Sequence, residues 1–537
     1  MRSRLLPAVI LSLLLAACGS APAASAAGEP RSGGDLVWAV ETEPLTFNPH
    51  QYAQAKARPL VWNSFEALFT HDEQGNYVPW LATGIEGGDR EYTIRLRTGV
   101  TFHDGETFDA AAVKANFDLL LSDGYNPQVR TVQLRNLKSV EVVDPVTVRL
   151  HLSVPDTLIR DFLTTPQGAQ ISPRSLRNAK NLKAGGTDVV GTGPFVLDSY
   201  TAGQQVVYRR NPAYDWAPAT AAHTGPAYLD TVTYRFLKES SVRIGALTSG
   251  QVRVVEGVPA TDEATIAANR RLRLDRGLNS GSAYAYYLNV DHAPFDDIRV
   301  RQAFREAVDV GAVLESVYRG TATRAWSVVS PSSRFYDDTL EGAYGGDAAT
   351  ANALLDAAGW TTRDAEGYRT RDGRRLTVRL VQSAPFVRDR REILAQAVQA
   401  AVKQSAGIHL DVRLVDQGTA TAALNDGEYE LFDNSRADTD AGAALNLLLH
   451  SRGAINRTHL DSPELDGLLD RGQATPDAAD RLKIYQEVQR YVVRDQAVVL
   501  PLYAPQDQLA VSDTVGGTGF EPTAGVPAGA YDVWIGA

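Results

Sequence analysis

"YTIRLRTGVTFHDGETFDAAAVKANF", residues 92–117, changes its hydrophobic period halfway along, and that change decides the class of fold. Tyr92, Ile94 and Leu96 recur at every second residue, the spacing that turns one face of a β-strand to a core, and Gly99 ends the run. From Asp109 the period is helical. Val113, Phe117, Leu120 and Leu121 share one stripe, with Asp109 placed as N-cap and Gly124 as C-cap. The same alternation returns downstream. "DDIRVRQAFREAVD" aligns Val300, Phe304, Ala307 and Val308, and "DVGAVLESVYRG" runs from a capping Asp309 to Gly320. "RREILAQAVQAAVKQSAG" is a helix ending near Gly407, and "IHLDVRLVD" turns Ile408, Leu410, Val412 and Leu414 inward. Helix, glycine turn and strand in succession build an α/β sheet. No segment repeats at a fixed period.

At the other end of the chain, Cys18 is the single cysteine of 537 residues. It follows Arg2, Arg4 and the apolar run "LLPAVILSLLLAA", the outline of a secretory signal peptide that is too short to span a bilayer core of about 20 apolar residues. Leu15-Ala16-Ala17-Cys18 resembles the lipobox of bacterial lipoproteins, in which the chain is cut before a cysteine that carries diacylglycerol. The other reading is ordinary cleavage near "APAASAA", with Cys18 in the discarded piece. On either reading the mature domain holds no disulfide. "GSAPAASAAGEPRSGG" is a flexible tether that reaches roughly 20 Å root-mean-square.

The formal net charge is −11, and deleting residues 1–17 removes Arg2 and Arg4 and no acid, which makes it −13. A mildly acidic surface argues against nucleic acid or an anionic lipid surface as partner. The length exceeds one hydrophobic core, so at least two domains are expected.

Enzyme signatures are absent: no GxSxG, HExxH, P-loop or GxGxxG after a strand. "GTGPF", residues 191–195, is a turn signal too short to cradle a phosphate. "FHDG" sets His103 beside Asp104, a metal or acid/base pair on one reading and a strand-to-helix turn on the other; the elements on either side favour the turn. His450 and His459, in a polar glycine-containing stretch, read as solvated loop residues rather than ligands. No catalytic residue, resident metal or cofactor is therefore expected.

The quoted stretch at 92–117, with "VVGTGPFVLDSY", "YRRNPAYDW" and "APFDDIRVRQAFREAVD", resembles in order and spacing the signature segments of the family 5 extracytoplasmic solute-binding proteins. These are the peptide, nickel and opine receptors of ABC importers. "EPLTFNPH", "FEALFTHDEQGNYVPWLA" and "SPELDGLLDRGQATPDAADRLKIYQEVQRYVVRDQAVVLPLY" extend the resemblance over essentially the whole mature chain. It implies a two-lobed type II periplasmic-binding-protein fold with an extra subdomain in lobe I. The expected divisions are a lipoprotein signal peptide at 1–17, a tether at 18–32, lobe I at 33–286 with the subdomain near 67–187, lobe II at 287–504, and a return to lobe I at 505–537. The hinge crossings are expected near "YYLNV" and "LPLYAP". The resemblance further implies a monomer that works outside the cytoplasmic membrane, held there through its lipid anchor. It would present a peptide-like or small zwitterionic solute to the importer's permease subunits, a metal chelate of the nickel type or another small organic solute being the alternative and a secreted hydrolase a distant third.

For the site, the resemblance points to "VETEP", hence Glu41, Thr42 and Glu43, and to Gln51 and Tyr52 after "NPH". It also points to an acidic loop that usually reads Trp-x-x-Asp-x-x-Asp-Pro, matched here by "NSRADTDAG" at Asn434 to Gly442. In dipeptide receptors an Asp of that loop holds the α-ammonium, a role that falls to Asp438 or Asp440 as a hydrated loop carboxylate. The chain departs from the pattern, with Asn434 or Ser435 for the Trp, Ala441 for the Pro, and Arg436 among the acids. Arg436 either binds a carboxylate or phosphate through its planar fork or braces the loop. Tyr52 matches an aromatic of the nickel receptors, but the arginine expected to hold a chelating carboxylate falls near Ala169.

Overall fold

The computed structural model describes residues 28–536 except 53, 127, 128, 438 and 439; Cys18 and Asp438 lie outside the described residues. Two large sheets carry the chain. The first has seven strands in the order Leu272–Leu278, Gln506–Ser512, Val254–Glu256, Asp35–Val40, Thr231–Phe236, Gln205–Arg210 and Phe195–Thr201. Asp35–Val40 runs parallel to both its neighbours, and the outer pairings are antiparallel. The second has six strands: Thr323–Arg324, Val499–Ala504, Ser282–Leu288, Leu431–Arg436, Thr377–Ser383 and His409–Val415.

Ser282–Leu288, "SAYAYYL", is buried at all seven positions because it lies inside the second sheet with elements packed on both faces. The chain therefore leaves the first sheet at 279–281, one strand ahead of "YYLNV", and returns at Pro505. Tyr284 to Leu288 are core residues of the second sheet, so the first crossing precedes the expected boundary at 286.

A smaller antiparallel sheet, Ala82–Gly88, Glu91–Leu96, Thr147–Leu152 and Leu137–Asp144, forms between the first strand of the large sheet and its outer strands. Tyr92, Ile94 and Leu96 face its core with Val113, Phe117 and Leu120 of helix Ala110–Leu121. The Asp109 carboxylate caps that helix by accepting from the Ala112 N–H at 2.8 Å. Its C-cap is Ser122, not Gly124, because the Ser122 hydroxyl donates to the Leu119 carbonyl at 2.6 Å; Leu121 is only half-buried.

The helix Arg391–Ala406 ends on Gly407 at φ +68°, and Ile408 and Leu410 enter the core of the second sheet. Leu414 is 51% exposed, against expectation, since His409–Val415 is an edge strand whose far end lies outside the helix cover. His450 is buried rather than solvated, with ring nitrogens 3.4 Å from the carboxylates of Asp466 and Asp470. His103 sits in the turn, its Nε2 2.9 Å from the Gly193 carbonyl.

Candidate ligand cleft

A cavity of about 640 Å³ opens where the two large sheets and the small one meet. From the first side, the end of strand Asp35–Val40 delivers Glu41 and Thr42, and the short turns Pro49–Gln51 and Ala55–Ala57 deliver Gln51, Tyr52 and Lys56. The subdomain adds Asp161, Phe162 and Gln167. From the other side come Phe432 to Ala437 at the end of strand Leu431–Arg436, and Arg388 and Arg391 at the start of helix Arg391–Ala406. Strand ends and helix starts converge there because a parallel arrangement puts these termini on one edge of the sheet.

The charges on the first side are compensated internally. Lys56 is buried, 3.4 Å from Glu256 and 2.5 Å from Asp507. Burial lowers its affinity for a proton, but Asp507 and Glu256 outweigh that and hold its pKa above the usual lysine range. Glu256 is pushed up to about 7 by burial, opposed by Lys56. Arg58 pairs with Glu521 at 2.9 Å, and Trp62 Nε1 donates to the same carboxylate at 2.6 Å.

The other side holds a polar relay. Arg391 lies 4.0 Å over the Tyr284 ring and donates to Ser435 Oγ at 2.7 Å and to the Tyr503 hydroxyl at 3.0 Å. Tyr284 donates in turn to Asp433 Oδ2 at 2.5 Å, and Gln382 Nε2 donates to the same oxygen at 3.0 Å. Asp389 and Arg390, just ahead of the helix, both adopt left-handed backbone, at φ 54° and 59°. That strain is held in place by Tyr318, whose hydroxyl donates to the Asp389 carbonyl, and by Arg390, which donates to the Val317 carbonyl.

Glu41, Thr42, Tyr52, Asn434, Ser435, Arg436 and Asp440 all line the cavity. Glu43 is not among the lining residues; its carboxylate accepts from the Tyr200 hydroxyl and the Gly203 N–H, which ties it to the strand pair behind. The Tyr52 carbonyl accepts from Gln167, and burial raises the pKa of its phenol. Asn434 Oδ1 is buried and lacks a partner among the described residues. The Arg436 N–H donates to Ser282 Oγ at 2.8 Å, which pins the strand end.

Asp440 is fully buried, not a hydrated loop carboxylate. One oxygen caps helix Ala441–Leu449 by accepting from the Gly442 N–H at 2.7 Å, and the other pairs with Arg481. The sequence reading missed Asp433, Arg388, Arg391 and Asp161. The alternation of Asp433 and Ser435 in "LFDNSR" was the available signal for one of these; the others depend on contacts between remote segments.

Two α/β bodies joined by two crossings, with a polar cleft between them, form an architecture that can close around a solute. Residues 76–456 match the model of bacterial extracellular solute-binding proteins, family 5. The chain is 27% identical over 539 residues to the glutathione-binding protein GsiB of Escherichia coli strain K12, covering 98% of this chain and 97% of that one. It is 33% identical over 330 residues to GsiB of Salmonella paratyphi A, covering 61% of this chain and 62% of the relative. NikA from Brucella suis, solved with Fe(III)-EDTA, superposes at a TM-score of 0.81 with 25% identity, over 92% of this chain and 98% of that one. AppA from Bacillus subtilis, solved with a nonapeptide, shares the fold at 0.79 with 23% identity, over 95% of this chain and 100% of that one. The chain belongs to the family 5 bacterial extracellular solute-binding proteins. It is a substrate-binding protein of an ABC importer and not an enzyme. No helix among the described residues is long and apolar enough to cross a membrane.

Proposed function

We propose that this chain captures a short peptide-like or small zwitterionic solute between its lobes and hands it to the importer's permease as a monomer anchored through Cys18. The observation that carries the cargo reading is the cleft itself: about 640 Å³, with acidic, basic and amide side chains facing one space from both sides. That volume falls within the roughly 300–1,000 Å³ of small-ligand pockets. The likeness to proteins named for binding glutathione over 98% of the chain supports the same chemistry. A ligand bridging both lobes lowers the free energy of the closed form and shifts the population toward it, which is what a permease reads.

A second reading, a metal chelate as cargo, draws on the likeness to NikA with Fe(III)-EDTA. Against it, the position expected to supply a chelate-binding arginine is Ala169, fully buried in an apolar cluster. Native mass spectrometry of protein purified gently from its host, followed by calorimetric titration with glutathione and with Fe(III)-EDTA, separates the two. A peptide mass and heat from glutathione are expected; a metal-bearing mass and heat from the chelate alone would replace the first reading by the second.

A further inference from the structure

We infer that Asp433, outside the acidic loop, is the carboxylate on which the cargo's ammonium group docks; this inference rests on the peptide-receptor reading above. Four carboxylates among the described residues line the cleft, and three of them already face groups of the protein's own. Asp440 spends one oxygen on the Gly442 N–H and the other on Arg481, with no exposed side-chain surface. Asp161 accepts from the Tyr77 hydroxyl at 2.6 Å, and its second oxygen is sealed from solvent. Glu41 faces Arg243, which lies 4.0 Å away.

Asp433 differs from all three. Both of its donors, Tyr284 and Gln382, are neutral, both reach the same oxygen, Oδ2, and among the described residues no cation stands within 4.0 Å. Its Oδ1 accepts from no described residue, and the half-buried side chain lines the cavity. A carboxylate held in one rotamer by two neutral donors on one oxygen leaves the lone pairs of the other for a ligand. In an enclosed cleft such a charge asks for a cation, and an –NH3+ group satisfies it with a charge-assisted hydrogen bond. Strand geometry fixes the direction: Asp433 stands opposite Tyr286 and on the same face as Ser435, whose hydroxyl already receives Arg391. The strand end thus sets an open negative charge beside a guanidinium, which suits a zwitterionic head group.

The test offers the parent protein and Asp433→Asn two probes in native mass spectrometry. One is a mixture of glutathione with di-, tri- and tetrapeptides bearing free amino termini; the other is the same mixture after N-acetylation. Asn at 433 retains an oxygen for Tyr284 and Gln382, and melting curves check that the fold is kept. The parent is expected to capture from the free mixture and not from the acetylated one, and Asp433→Asn to bind at least about 30-fold more weakly. The acetylation comparison on the parent stands even if the variant folds poorly. Equal capture from both mixtures, or parent-like binding by Asp433→Asn while Asp438→Asn loses it, overturns the inference and leaves the peptide reading intact. A parent that captures nothing from either mixture overturns the peptide reading and this inference with it.

Discussion

Glu66 shows what a single buried charge demands. Its two oxygens accept from Trp80 Nε1 at 2.8 Å, the Tyr214 hydroxyl at 2.6 Å, Trp216 Nε1 at 2.8 Å and the Thr192 hydroxyl at 2.7 Å. Burial pushes its pKa up to about 7, while the four donors pull the other way. Glu66→Gln would aim an NH2 group at two of those donors. We expect it to cost roughly 2–4 kcal/mol, read from denaturant unfolding. A carboxyl whose folded pKa is raised stabilises the fold below the unfolded value and ceases to do so as pH rises through about 7, so the deficit of the variant should narrow between pH 5 and 8. Asp440 behaves differently. Asp440→Ala removes a helix cap and strands the buried Arg481, which we expect to cost about 3–5 kcal/mol, measured by melting and urea titration. A melting temperature within a degree of the parent would show that the pair contributes nothing.

At the scale of elements, the turn "GTGPF" proves to be a seam. Gly191 and Gly193 lie against the end of helix Arg58–Ser64, and the Gly193 N–H donates to the Ser64 carbonyl at 3.0 Å. A Cβ at 193 would stand 2.7 Å from both the Asn63 carbonyl oxygen and the Ser64 carbonyl carbon, neither of which can swing away. Gly193→Ala is therefore expected to lose about 1–3 kcal/mol through overpacking, visible as a lower urea midpoint at unchanged slope. The seam also meets His103 at the Gly193 carbonyl and donates its own Thr192 hydroxyl to Glu66, so the small sheet and the first large sheet are joined there. Its residues read as a turn because a close backbone approach leaves only glycine in the sequence as its sign. Leu414 carries the opposite lesson: its alternation is regular and it pairs with Gln382, yet its side chain is left exposed at the end of an edge strand.

For the whole molecule, closure and titration are expected to be coupled through Asp161. The subdomain supplies Asp161; the other side of the cleft supplies Asp440 and Arg481. Burial first, and Asp440 second, push the Asp161 pKa up to about 7, against Arg481, Tyr77 and Arg334. His71, 3.8 Å away, is driven down to about 4 by burial and stays neutral across this range. We expect opening of the cleft to return Asp161 toward water and toward the ordinary carboxylate range near 3.9. Closure should therefore take up a proton: affinity is greatest at low pH and falls as pH rises toward and through 7, by up to about tenfold per pH unit. Titrating glutathione, or the solute that co-purifies, at pH 5, 6, 7 and 8 checks this, and Asp161→Asn should flatten the profile; a slope retained in that variant would assign it to another group. The proposed lipid anchor has its own test. Cys18→Ala is expected to release the processed protein into the soluble fraction, because the anchor would be two acyl chains on that one sulfur. A mutant that still pellets with membranes after processing removes Cys18 from the anchoring role.

The sequence by itself determined the class of fold, the run of elements and the family. Hydrophobic period and capping residues act within a few positions of one another, so Tyr92, Ile94, Leu96 and Asp109 could be placed from spacing alone. It also brought Glu41, Thr42, Tyr52 and the strand end at 434–436 to the cleft, as residues that line it. Only the tertiary structure decided which carboxylates there are already spent. Asp440 and Arg481 are 41 positions apart, and Asp433 meets Gln382 across 51. Whether a carboxylate faces a counter-charge, a neutral donor or open solvent depends on segments joined by folding. Neighbours along the chain carry no trace of that, because burial and pairing are properties of the space around a side chain and not of its place in the sequence.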